Sequence, residues 1–202
     1  HPMLCRPTSK LESVSMSDQL ALFPLSSFLL PRGRLKLRVF EPRYIRLVTE
    51  AMSEKRDFAI ATLNPFVSQS HPDRILKQVC KVKIEDFEAL PDGLLGITLR
   101  GIGRYQITTR WQETDKLHVA TVDALPDWLG DHLSDDFAPL ADSFARLLTE
   151  YPQLAELYPA PELHDDAWLA GRWLELLPMQ PALKISMAAT EPTACLAQLQ
   201  HW

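Results

Sequence analysis

The sequence predicts an α+β fold in which a β-rich first part, residues 16–126, carries one helix and is followed by a helical second part, residues 127–202. Three observations lead there. From Ala21 to Pro126, short runs rich in β-branched and aromatic residues alternate in polarity between turn residues, which is the two-residue period of strands. Beyond Pro126 the apolar residues recur at three-and-four spacing, the period of helices. Charge changes at nearly the same place: residues 16–110 hold fifteen lysines and arginines against ten acidic residues, and residues 111–202 hold four against fifteen. With 202 residues, 46% hydrophobic and 23% charged, the chain has material for one large domain or two small ones with a buried core.

The strands are expected at Ala21–Leu25, Leu35–Phe40, Phe58–Leu63, Gln78–Leu90, Leu94–Gly101, Arg104–Trp111 and Leu117–Leu125. The clearest reversal is Pro91-Asp92-Gly93, which supplies in turn a fixed φ, a side-chain turn bond and a positive φ. One helix interrupts the strands. Pro42 suits its first turn, and Tyr44, Ile45, Val48, Ala51 and Met52 form an apolar stripe that would cap one end of a barrel-like sheet. In the second part, Phe137, Leu140, Phe144, Leu147 and Leu148 share one helical face, and Ala167, Leu169, Ala170, Trp173, Leu174 and Leu177 mark another segment. Prolines 152, 159, 161, 178, 181 and 192 cut this region into three or four helices, the last over Thr193–Gln200. Residues 1–15 are polar and irregular, lack the apolar core of a signal peptide and are expected to form a tail, with Met16 a natural start.

Several kinds of chemistry have no seat in this sequence. Cys5, Cys80 and Cys195 lie far apart without a CxxC pair, which favours a reducing, cytoplasmic compartment over disulfides or zinc. The longest apolar run, Leu20–Pro31, is broken by Pro24, Ser26 and Ser27 and falls short of the ~20 residues that span a bilayer. Gly96-Ile-Thr-Leu-Arg-Gly101-Ile-Gly103 lacks the lysine of a phosphate cradle, and Gly101 and Gly103 read as a bulge or a close backbone approach. The six histidines are scattered, and His164-Asp165-Asp166 reads as a solvated helix start because adjacent helical residues diverge around the axis. No catalytic residue, metal or cofactor is therefore expected. Trp128, Trp168, Trp173 and Trp202 read as core filling in the second part.

Three separated stretches carry a resemblance. Phe23-Pro-Leu-Ser-Ser-Phe-Leu-Leu-Pro31, then Leu35–Val39 and Glu41-Pro42-Arg43-Tyr44, resembles the opening of the Lon N-terminal domain family. The run from Leu90 to Ile107 is similar to that family's hairpin and following strand, and Leu176–Lys184 to its helix-proline-lysine segment. The resemblance covers roughly residues 20–200, and three motifs in order are more specific than any one. It implies a PUA-like twisted β pseudo-barrel followed by a helical bundle, and a substrate-engaging role in ATP-dependent proteolysis. The 202 residues end where the family's ATPase and Ser-Lys peptidase domains would begin.

The expected function is thus a non-catalytic module that binds peptides or unfolded proteins, in partnership with a protease. Phe28, Leu29 and Leu30, beside a turn, are its leading contact candidates, although large aliphatics in short strands usually face a core. Phe66 is expected to be exposed in the Asn64–Asp73 loop. Arg32, Arg34, Lys36 and Arg38 alternate with apolar residues and would form a basic strand face, either for an acidic partner or simply solvated. Two alternatives stand beside this reading: a hydrolase with an unrecognised constellation, and a PUA-like RNA-binding protein. A net charge of −5 counts against nucleic acid. The oligomeric state is left open.

Overall fold

The structure, a computed structural model, describes residues 18–202; the expected tail, Met16 and Cys5 lie outside the described residues. Six strands and six α-helices follow one another as β1 (Asp18–Leu25), β2 (Arg34–Val39), α1 (Pro42–Met52), β3 (Phe58–Leu63), β4 (Ile75–Ala89), β5 (Leu95–Gln112) and β6 (His118–Ala124), then α2 (Ala138–Glu150), α3 (Pro152–Leu157), α4 (Asp166–Leu176), α5 (Pro181–Ala188) and α6 (Pro192–Gln200). The fold is mixed α and β, as expected.

The sheet order is β2-β5-β4-β3-β1-β6, and β6 pairs again with β5, so the sheet closes on itself. Closure rests on the length of β5. Its first half, Leu95–Arg100, pairs with β2, while its second half, Tyr105–Gln112, pairs with β6. Two strands expected separately, Leu94–Gly101 and Arg104–Trp111, are therefore one. The register shifts where Gly103 and Gly101 face Lys81 and Val82, the bulge that the two glycines announce. A side chain at Gly101 would meet the Leu30 carbonyl oxygen at 2.3 Å, so this position also admits the close backbone approach. The Pro91–Gly93 reversal forms with positive φ at both Asp92 and Gly93.

Five of the six helices start on a proline in their first turn, where the missing N–H has no helical partner to lose. Helix α4 instead uses Asp165, whose side chain accepts from the Trp168 N–H at 2.9 Å. The expected helix start at His164–Asp166 is real, but Asp166 is buried and accepts from the Asp131 N–H rather than standing in solvent. The second part holds five helices, not three or four, because Pro152 restarts the chain directly after α2. Among the described residues, no helix is long and apolar enough to cross a membrane.

Apolar side chains gather in three clusters. Two line the β part, one under α1 with Phe23, Leu47, Val48 and Leu99, the other around Leu20, Leu22, Val79 and Val122. The third fills the space between the helices with Phe144, Trp168, Leu169, Leu174 and Leu196. The ring of Trp168 meets those of Phe144 and Tyr158 edge-on at 5.5 and 5.3 Å. Each such side chain, fully buried, contributes about 1.5–3 kcal/mol relative to exposure.

Candidate functional site

In the segment between β1 and β2 the core-facing alternative, weighed beside the contact reading, is the one that forms. Phe28, Leu29 and Leu30 are all buried, at 7%, 5% and 2% exposure. Successive side chains go to different cores: Phe28 and Leu30 enter the helical core, and Leu29 enters the β core. The leading contact candidates are thus the joint between the two parts. Glu175 of α4 accepts the Leu30 N–H at 2.9 Å and is gripped by Arg172, which also reaches the Pro31 carbonyl at 2.8 Å. Burial pushes the Glu175 carboxyl above its ordinary range, against the pull of Arg172. Among the described residues the Arg172 Nη1 has no hydrogen-bond partner, but the guanidinium lies over the Trp168 and Tyr158 rings, 5.5 and 6.0 Å from their centres.

The basic strand face is also partly engaged. Arg32 lies in the turn before β2, with φ of 70°, and pairs with Glu162 at 2.6 Å and Asp165 at 3.0 Å. Arg34 pairs with Glu85 at 2.9 Å and donates to the Leu157 carbonyl at 3.0 Å. Lys36 and Arg38 stay exposed. Phe66 is 69% exposed, as expected, in the loop that follows the end of β3 at Leu63. Phe28, Leu29 and Arg34 share the lining of a cleft of about 270 Å³ with Tyr158 and Arg172, Leu30 and Arg32 line a much smaller one, and Phe66 lines neither.

A larger groove lies at the other end of β3. That strand begins at Phe58 opposite Val82, yet β4 runs on to Ala89 with only β5 beside it. From Lys83 onward one edge of β4 therefore has no strand neighbour among the described residues. The end of α1 and the loop after it lie across this edge and leave a cleft of about 700 Å³. Met52, Phe58, Val82, Ile84, Phe87 and Ile102 give it apolar walls. Three of these are large and exposed: Met52 at 44%, Phe87 at 46% and Ile102 at 43%.

The direction of the free backbone groups follows from β5. Gly101 uses both of its groups on the β2 side, donating to the Gly33 carbonyl at 2.8 Å and accepting from the Arg32 N–H at 2.7 Å. In an antiparallel ladder this direction alternates, so Arg100 turns to Lys83 of β4, and Leu99 turns away from Ile84. Ile84 in turn presents its N–H and C=O to the groove. At Phe87 the Asp86 carboxylate accepts the N–H at 2.9 Å, which closes the open stretch.

The charges around the cleft are largely paired within the protein. Arg56 binds Glu113 at 2.8 Å, Lys81 reaches Asp57 at 3.5 Å, and Glu85 holds Arg34. Sequence reading placed Met52 in a core-facing stripe and Phe87 in a hairpin strand, and so missed both. The available signal was length: a hairpin strand of 15 residues beside a neighbour of 6 must leave an edge uncovered.

The model of the ATP-dependent protease La (LON) substrate-binding domain matches residues 19–193. The chain belongs to this family. A Lon N-terminal domain protein from Xanthomonas campestris shares 30% identity with it at a TM-score of 0.70, covering 91% of this chain and 98% of that one. The N-terminal domain of a Mycobacterium avium complex Lon protease shares 17% identity at a TM-score of 0.58, over 92% and 97% of the two chains, a likeness of fold alone. No curated protein matches the chain. A Lon substrate-binding domain is a non-catalytic part of its protease, and membership supports a role in binding substrate.

Proposed function

We propose that this chain is a non-catalytic module that binds exposed segments of polypeptide, and that the groove between α1 and the free edge of β4 is where it holds them. The observation that carries this reading is the pairing of large exposed apolar side chains, Met52 and Phe87, with a strand edge that has no strand neighbour among the described residues. Peptides and unfolded proteins are the partners, and delivery to a protease is the use that the family suggests. The engagement of Arg32 and Arg34 in ion pairs removes two of the four cations that an RNA-binding reading would need.

Binding of a reduced, carboxymethylated protein kept unfolded in solution tests the proposal. Phe87→Asp and Met52→Asp place charge on exposed positions and should leave the thermal transition within a few degrees of the parent. Each should weaken binding about tenfold or more, the loss expected of a central apolar anchor. Unchanged binding in both variants would move the site elsewhere.

A further inference from the structure

We infer that the groove recognises its ligand through the main chain, taking an extended, uncharged polypeptide segment as an added strand on β4. This rests on the binding reading above and names its mode. The outward-turned N–H and C=O of Ile84 lie on the line of β3 ahead of its first residue, because β3 begins only at Phe58 opposite Val82. A strand laid there would continue the line of β3 along β4 without disturbing the β4–β5 ladder, which uses the other edge.

The chemistry of the occupant follows from the charges. Arg56, Lys81 and Glu85 are held by Glu113, Asp57 and Arg34, so three of the charged side chains on the walls are already neutralised inside the protein. Lys83, Glu54 and Asp86 remain exposed, one cation against two anions, and Asp86 already accepts the Phe87 N–H. With so small an imbalance the complement of the groove is a chain without charge whose alternate side chains face Ile84, Met52 and Phe87. Such a site reads extension and apolar character and tolerates many sequences. Asp86 limits it: by holding the Phe87 N–H, it keeps the open edge short and discourages pairing between copies of the protein.

A fluorescein-labelled ten-residue peptide with valine at alternate positions and serine between them, titrated with the full chain by anisotropy, serves as the probe. Two further versions carry N-methyl groups, one on the valine amides and one on the serine amides. Strand addition turns only one set towards β4, so one version should lose binding about tenfold, the worth of one or two hydrogen bonds, while the other stays near the parent. Ile84→Pro removes the outward N–H without removing a donor from the β5 ladder, and should lose binding comparably. If that variant fails to fold, slower amide exchange of Ile84 on adding the parent peptide reports the same contact. Equal affinity of all three peptides, with Phe87→Asp still impaired, would overturn strand addition and leave the groove as a side-chain site. No binding of the parent, together with a concentration-dependent dimer that Ile84→Pro abolishes, would assign the edge to a second copy and overturn both readings.

Discussion

Glu113, in the turn between β5 and β6, ties together three pieces of chain that meet behind the groove. Arg56 from the loop after α1 reaches it at 2.8 Å and Arg46 of α1 at 2.9 Å. The Arg56 guanidinium, helped by Arg46, holds its carboxyl at about 2, well below the ordinary 4.5. A depressed carboxyl contributes stability above its unfolded value, and that contribution disappears as pH falls from about 4.5 towards 2. Acid unfolding followed by circular dichroism should therefore steepen in that window, and Glu113→Gln should flatten it; an unchanged acid limb in the variant would show that the cluster adds nothing to stability. Gly101 offers a second check. Gly101→Ala sets a methyl 2.3 Å from the Leu30 carbonyl oxygen, and the expected result is a lower Tm. Single residues of this kind were legible in part. The Gly101–Gly103 bulge and the Asp92–Gly93 turn follow from local backbone rules, whereas Glu113 and its arginines lie 57 and 67 residues apart and no local rule joins them.

At the scale of elements, strands β1 to β4, helix α1 and the start of α4 were readable because period and capping are local properties. The segment from Ser26 to Pro31 was not. Its apolar run signalled burial or contact without saying which, and the answer depends on helices more than 100 residues away. The basic strand failed for the same reason: the two-residue period put Arg34 on an outer face, and α3 then covered part of that face through Leu157 and Tyr158. The consequence can be measured. Leu30→Ala should cost about 2–5 kcal/mol in denaturant unfolding, as expected of a buried leucine whose cavity does not collapse. Peptide affinity at the groove should remain that of the parent. A stable Leu30→Ala protein with impaired binding would return the site to the segment between β1 and β2.

For the whole molecule, the insertion of Phe28 and Leu30 into the helical core makes separate melting of the two parts unfavourable. A single cooperative thermal transition is expected. The ion pairs across the joint are partly exposed, Arg32 with Glu162 at 27% and 56%, and pairs of that kind contribute only about 0–1 kcal/mol. The transition should accordingly shift little between low and moderate salt, and a chain cut after Pro126 should be poorly soluble because it uncovers Phe28 and Leu30. Two resolved transitions, or a well-folded fragment ending at Pro126, would show independent parts instead. The closed sheet also imposes an order on synthesis. Strand β1 finds its partner β6 only when residues 118–124 have left the ribosome, roughly a hundred positions after β1 itself, and Leu30 waits longer still for α4 and α6. A nascent chain of this protein therefore carries its most apolar stretch uncovered through most of translation. Until α4 and α6 emerge, the chain proposed to bind exposed polypeptide displays such a segment of its own.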